Sequence, residues 1–372
     1  MIRRIAGFRP GLRWLFQGDR YLTGVDVGRS SFKIVQLDRG RRGNRLVYAG
    51  LLEFGASQDS WDSGKIAADI RTFLLNKPIK NHPVSTAVMG RSVTIRYFTL
   101  PMIPEDELQA AVQWEAKKLL SSPEEELVLD YLTLGEKAEG DLRKRELLLV
   151  AASRRVVSEH VEMVRAAGLQ VGAVDVNPLV FLNLLRLNYE EFLDQNIAFV
   201  DLGAANIEIS IAKRGALRFT RNIPAGMDQI TRAIEHGAGV SYEEAERLNR
   251  KYGLELTRSE GFSAEGREFQ GSPEALLESI RGILDGFILE IQRSVDFYHV
   301  QFRGERIQKI IFTGGGVLMP GLMGYLSGYF DVETVVDNPF SRIHYDPMAF
   351  GAVADMAPRF SSAVGLALRP VT

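Results

Sequence analysis

The sequence predicts an α/β protein of two lobes, each a mixed β-sheet flanked by helices, with a smaller α/β module inserted into the first lobe. Three observations carry this expectation. Tyr21–Leu37 and Asn196–Pro224 repeat one pattern: an apolar strand runs into Val-Asp-x-Gly, turns, and leaves as an alternating strand. After Gly28 the apolar positions are Phe32, Ile34, Val35 and Leu37, and after Gly203 they are Ile207, Ile209 and Ile211. A third glycine turn, Thr313-Gly314-Gly315-Gly316, follows the apolar strand Lys309–Phe312. Between the paired hairpins lies a strand-rich stretch with a period and charge pattern of its own.

A strand, Asp-x-Gly turn and strand make a hairpin with one carboxylate and several free backbone N–H groups at its tip. Glycine permits the backbone angles of such a turn and lets an anion approach closely. Two tips facing each other form a clamp: the amides grip phosphate oxygens, and Asp26 and Asp201 hold the metal ion that neutralises them. Their separation in the chain is that of a typical domain, which points to two related lobes around one nucleotide. Strand, triple glycine and helix N-terminus lets a flat base or a phosphate lie against bare backbone.

Bulk properties narrow the function. At 372 residues the chain is long enough for at least two cores. Its net charge of −2 excludes a general nucleic-acid binder, which needs a broad basic face. With no cysteine there are no disulfides, thiolate metal sites or cysteine nucleophiles, in keeping with a reducing compartment. The five histidines show no zinc-binding spacing. No uncharged apolar run reaches the roughly 18–20 residues of a membrane span, so a soluble chain is expected.

In chain order, residues 1–20 form a basic leader with Ile2, Ile5, Phe8, Leu12, Leu15 and Phe16 loosely on one side, split by Pro10-Gly11. It reads either as a weak amphipathic contact with anionic lipid or as a frayed end. A helix is expected around Lys65–Leu75 and a strand over Val84–Met89. Residues 80–167 are assigned to the inserted module. It holds the strand Val93–Thr99, a helix opened by Glu105, Asp106 and Glu107, strands Leu127–Leu134 and Glu146–Ala152 around a charged loop Gly135–Arg145, and a helix Arg155–Ala167. Nothing in it resembles catalytic chemistry; such modules bind peptides by strand addition or in a groove. Asp175-Val176-Asn177-Pro178 opens the helix Leu179–Leu187 just before the second hairpin, where Asp175 or Asn177 either faces a terminal phosphate or merely caps the helix. A helix begins at Gly226, a charged helix covers Tyr242–Tyr252, and 255–272 is polar and loop-like. The longest helix runs from Pro273 to about Phe302 with a buried stripe from Leu276 to Tyr298. Leu318–Tyr329 is expected to be a helix, and two small-residue-rich apolar segments close the chain.

These motifs, in this order, resemble those of the actin-like ATPase superfamily. Within it the sharper likeness is to the PilM family of type IV pilus assembly. It rests on GVDVGRSSFKIVQL (24–37), IPEDEL with QWEAKKLL (103–120), VDLGAANIEISIAKRGALRFTRNIPAG (200–226), EIQRSVDFY (290–298), GGGVLMPGL (314–322), DNPF (337–340) and AVGLALR (363–369). The resemblance implies the actin-like ATPase fold with an inserted subdomain of the FtsA and PilM type. Lobe 1 would comprise 21–79, 168–195 and 346–372, lobe 2 would comprise 196–235 and 303–345, and 236–302 would be a helical subdomain. ATP or ADP with Mg²⁺ is implied in the cleft, the metal on Asp26 and Asp201. Nucleotide contacts would come from Gly28, Arg29, Ser30, Ser31 and Lys33, from Gly203, Ala204, Asn206 and Gly226, from Glu246 and Asn249, and from Gly314, Gly315 and Gly316. The implied partner is the cytoplasmic N-terminal tail of a PilN-like inner-membrane protein, placing the chain in the cytoplasm beside that membrane. A homo-oligomer is left open.

The departures from the family pattern bear on turnover. The second turn carries Asn206 and Ile207 where threonines are usual, Asn249 stands in place of a lysine, and Asn177 in place of an acidic residue. A carboxamide orients water but is a poor base, so nucleotide binding with slow or negligible hydrolysis is expected, with Asp26, Asp201 and Asn177 the candidates for what chemistry there is. Three alternatives remain: a sugar or acid kinase on the same fold, an FtsA-like division scaffold, and the cytoplasmic part of a GspL-like secretion protein.

Overall fold

A computed structural model describes residues 20–41, 43–54, 61–90, 93–119, 126–139, 142–256, 273–302 and 305–369. The leader up to residue 19 and residues 257–272 of the stretch expected to be loop-like lie outside them. The first lobe is built from β1 (Tyr21–Val27), β2 (Ser31–Gly40), β3 (Gly43–Glu53), α1 (Ser63–Leu74) and β4 (Val84–Val88). The inserted unit follows: β5 (Val93–Pro101), α2 (Glu105–Leu119), β6 (Leu127–Glu139) and β7 (Leu142–Ser153). The chain then returns to the first lobe through α3 (Arg154–Ala166), β8 (Val171–Val176) and α4 (Asn177–Asn188).

The second lobe contains β9 (Asn196–Leu202), β10 (Ile207–Lys213), β11 (Ala216–Ile223), α5 (Asp228–Ala238), α6 (Tyr242–Tyr252), α7 (Pro273–Gln301), β12 (Lys309–Thr313), α8 (Leu322–Ser327) and β13 (Glu333–Val336). Finally α9 (Pro347–Ala354) and α10 (Ser361–Ala367) close the chain.

The two large sheets have the same strand order, β3-β2-β1-β4-β8 and β11-β10-β9-β12-β13. In each, three antiparallel strands joined by hairpins are extended by two parallel ones. The paired hairpins of the sequence thus sit at equivalent places in equivalent sheets. All but the last residue of β10 are buried, the polar Glu208 and Ser210 included, so the strand is covered on both faces although its sequence alternates.

Helix α10 is buried on every side in the first lobe. It fits there because Gly24 and Gly365 have no side chains: a Cβ at Gly24 would lie 1.9 Å from the Ala363 carbonyl oxygen, and one at Gly365 would lie 2.6 Å from the Val180 carbonyl oxygen.

The separate three-stranded antiparallel sheet, β5-β7-β6, is narrower than the 80–167 expected of the module. β4 is a central strand of the first lobe and α3 packs on α1, so both belong to that lobe. Strand β7 shows why this unit is not a free appendage. Leu147 and Leu149 face α2 with Leu108, Val112 and Ala116, while Leu148, Val150 and Ala152 join the first lobe's core. The described residues of the charged stretch expected as a loop, 135–139 and 142–145, instead continue both strands, with Glu136 opposite Arg145 and Ala138 opposite Arg143. A ladder needs only backbone pairing, which this charged ribbon satisfies even where Lys137 faces Lys144.

Asp337 marks the junction of the lobes. Just after β13, it accepts hydrogen bonds from Tyr189 Oη at 2.9 Å and Ser361 Oγ at 2.5 Å. Burial pushes its carboxyl up to about 6, with the two hydroxyl donors opposing the shift. The folded value lies above the unfolded one, so this stability is fully present below about pH 4 and is lost as pH rises through about 6. The full window corresponds to about 3 kcal/mol. Asp337→Asn should therefore gain on the wild type between pH 4 and 7 in paired thermal melts; a constant offset would exclude the carboxyl as the cause.

Candidate functional site

The two Asp-x-Gly turns close in the same way. The Gly28 N–H donates to the Ser31 carbonyl at 2.9 Å, and the Gly203 N–H to the Asn206 carbonyl at 3.0 Å. Across the first hairpin Asp26 faces Lys33, and across the second Asp201 faces Glu208. Lys33 Nζ lies 2.9 Å from Asp26 Oδ2, with the two side chains only 14% and 7% exposed. The third turn joins them through β12, where Thr313 stands beside Asp201. Gly314 follows with φ +87°, and a Cβ there would lie 2.2 Å from Asp201 Oδ1.

All three turns line one cleft of about 580 Å³ between the lobes. Asp26, Asp201 and Asn177, the first turn from Gly28 to Ser31 with Lys33, and Gly203, Ala204 and Asn206 are brought together there. Glu246, Asn249 and the glycine triplet complete it. Gly226 does not line it. It lies beneath the second turn, where a Cβ would meet the Ala204 carbonyl oxygen at 2.3 Å, and α5 begins two residues later, at Asp228. Asp175 is also turned away: Arg369 Nε donates to its Oδ2 at 3.0 Å and the Val176 N–H to its Oδ1 at 2.8 Å. The triplet opens not an α-helix but a 3₁₀ turn, Gly315–Leu318, and Met319-Pro320-Gly321 intervenes before α8, which is shorter than the expected Leu318–Tyr329.

The cleft's electrostatics follow from its depth. Burial pushes Asp201 up to about 6, with the Asp26 charge adding to the shift and Lys33 opposing it. Glu208, opposite Asp201 in the hairpin but outside the cleft lining, is pushed up to about 8 by burial and then by Asp201, with Asn177 partly offsetting. Burial lowers His160, on the cleft wall, to about 4, so it is a neutral imidazole at neutral pH, with Nε2 2.8 Å from Thr86 Oγ1. Glu208 is the residue that sequence reasoning passes over. The available signal is its spacing, which from Asp201 equals that of Lys33 from Asp26.

The residues fit a magnesium nucleotide. Asn177 Oδ1 and Asn249 Oδ1 are buried in the cleft without a protein partner, a state that a bound ligand or water relieves. Bare glycine backbone at Gly28, Gly203 and Gly314 to Gly316 lines the cleft. Among the described residues no group of three or more His, Cys, Asp or Glu could hold a metal alone. Two carboxylates suit an ion that brings phosphate oxygens and water with it.

Comparison with known proteins agrees with this architecture. The family model described as type IV pilus assembly protein PilM matches residues 24–264, and that of cell division protein FtsA matches residues 198–365. FtsA of Bacillus subtilis (strain 168) is 25% identical over 245 residues, covering 60% of this chain and 54% of that protein. The chain thus spans about half the length of that relative. FtsA of Neisseria meningitidis serogroup B is 23% identical over 387 residues, covering 94% and 90%. Among solved structures, a chain of a PilM-PilN type IV pilus biogenesis complex superposes with a TM-score of 0.79 at 24% identity, covering 94% of this chain and 98% of that one. The ethanolamine utilization protein EutJ from Carboxydothermus hydrogenoformans gives 0.55 at 14% identity, covering 95% and 91%. The fold is that of the actin-like ATPases. Among the described residues no helix is long and apolar enough to cross a membrane.

Proposed function

This chain belongs to the family of the type IV pilus assembly protein PilM, and from that premise we propose that it is a nucleotide-dependent scaffold of the pilus assembly platform. In this reading ATP or ADP with Mg²⁺ occupies the cleft, and the inserted sheet grips the N-terminal tail of a PilN-like inner-membrane protein. The observation that carries it is the convergence of both Asp-x-Gly turns and the glycine triplet on one cavity. The turns' amides and Lys33 would hold phosphate oxygens, and Asp26 and Asp201 would orient the metal, which supplies charge neutralisation. Nucleotide would favour the closed lobes by binding them more tightly than the open ones. Hydrolysis would be slow, because Asn177 is no base and Ile207 offers no hydroxyl. The tail-gripping role is supported by the inserted unit's exposed apolar groups Met102, Trp114, Leu132 and Leu142.

A calorimetric titration with Mg²⁺-ATP, followed by a pull-down on a synthetic PilN-like tail, tests this. The wild type should bind both ligands; Asp201→Ala should lose the nucleotide and respond differently to the tail only when nucleotide is present. Tail binding with no nucleotide binding in either protein would remove the nucleotide half. The match to FtsA favours a second reading, a division scaffold. A deletion strain that filaments yet keeps its pili would select it.

A further inference from the structure

We propose that Glu53, Arg250 and Arg359 form a clasp across the mouth of the cleft, which ties the two lobes together without a ligand and slows exchange of whatever the cleft holds. The exchange half rests on reading the cleft as a nucleotide site; the tying half does not.

Glu53 is the last residue of β3, an edge strand of the first lobe, and stands directly across from Ser31 of the first turn. The next residue is fixed to that turn as well, since the Phe54 N–H donates to the Ser30 carbonyl at 2.8 Å. Arg250 comes from the last turn of α6, on the opposite lobe. Its Nη1 lies 2.7 Å from Glu53 Oε1 and 2.9 Å from Oε2, and its Nη2 lies 2.6 Å from Glu246 Oε1. Arg359 comes from the short 3₁₀ segment Ala357–Phe360, and its Nη1 lies 2.7 Å from the same Glu53 Oε1. That segment is at the junction: Phe360 joins the first lobe's core, while the Pro358 carbonyl accepts from the Gly314 N–H of the second.

A lone exposed ion pair contributes little. Here one carboxylate takes guanidinium groups from two distant parts of the chain, and Arg359 is nearly buried, with its side chain 12% exposed. Burial alone would raise the Glu53 carboxyl, but the hydrogen bonds from Arg250 and Arg359 outweigh it and hold the group below the usual carboxylate range. Two carboxylates, Glu53 and Glu246, balance two guanidinium groups, so the cluster needs no phosphate to complete it. Arg250, Arg359 and Glu246 line the cleft, and Glu53 reaches them from the other lobe beside the first phosphate turn. A ligand between the first turn and α6 therefore lies beneath a bridge of ionic hydrogen bonds. Parting the lobes at this rim requires breaking them.

The absence of cysteine makes the test direct, because Arg71→Cys and Glu243→Cys place one spin label on an exposed helical site in each lobe. Interlobe distances are measured by pulsed electron paramagnetic resonance on the full chain with no nucleotide. They are compared with Glu53→Gln, Arg250→Gln and the double variant in the same background. Each single change should broaden the distribution toward longer distances, and the double should go no further than the larger single, as expected when both remove one interaction. Release of a fluorescent ATP analogue, followed by stopped flow with Mg²⁺, should be about two- to five-fold faster in each variant, an ion-pair-sized effect. An unchanged ligand-free distribution in both single variants overturns the clasp. Broadened distances in a protein that binds no nucleotide support the tie and overturn the nucleotide reading. Broadened distances with wild-type release overturn the exchange half alone.

Discussion

Gly314→Ala should destabilise the protein by about 3 kcal/mol or more and abolish binding of Mg²⁺-ATP. The position has φ +87° and ψ 175°, a region open essentially only to glycine, so the backbone alone opposes the change. A methyl group would also stand 2.2 Å from Asp201 Oδ1 and 2.8 Å from the Leu202 carbonyl oxygen. Neither neighbour can yield cheaply. Leu202 is the buried end of β9, and Asp201 is held half-buried in the same strand beside β12. The Gly314 N–H is also fixed to the Pro358 carbonyl at 3.1 Å, so the turn cannot swing aside without breaking the lobe junction. Gly315→Ala is the control, since its Cβ would meet only the Arg359 side chain, at 3.9 Å. Urea unfolding and calorimetric titration of the two variants should separate them widely. Equal midpoints and equal affinities would mean that the triplet is not the keystone of the second turn.

Lys33→Met should cost about 3–5 kcal/mol, because it removes one partner of a buried pair and leaves the other charge enclosed. The Asp26 carboxylate is bonded to the amine at 2.9 Å, and solvent cannot replace it at 7% exposure. Adding Asp26→Asn to that variant should restore much of the lost stability, since a neutral amide next to a thioether is far cheaper to bury than a lone carboxylate. Nucleotide binding should not return, because the cation proposed to hold phosphate and one of the two proposed metal ligands are then gone. Chemical denaturation of the single and double variants, each titrated with Mg²⁺-ATP, decides the matter. If the double variant binds like the wild type, the pair is structural and the first turn grips nothing.

Much of the fold is legible in the order of the residues. Two Val-Asp-x-Gly hairpins with alternating strands behind them predict equivalent sheets, and the stripe from Leu276 to Tyr298 predicts the 29-residue helix α7, because strand and helix periods are written in neighbouring residues. The glycines are legible for the same reason, since each answers to a local backbone geometry. The limits of the inserted unit are not, because β4 and α3 look alike whether they belong to it or to the first lobe; only their neighbours in the sheet decide. The charged ribbon after Gly135 has the polarity of a loop, because backbone pairing leaves little trace in the side chains.

The chain's own sequence therefore determined which elements form and that two acidic turns recur. Tertiary structure alone decided what faces what: Lys33 against Asp26, Glu208 beside Asp201, Asp175 turned to Arg369, and Glu53 spanning the rim to Arg250 and Arg359. The physical reason is range. Propensity and periodicity act over a few residues, whereas charge pairing and burial depend on distances across space that folding creates between positions as far apart in the chain as Glu53 and Arg359.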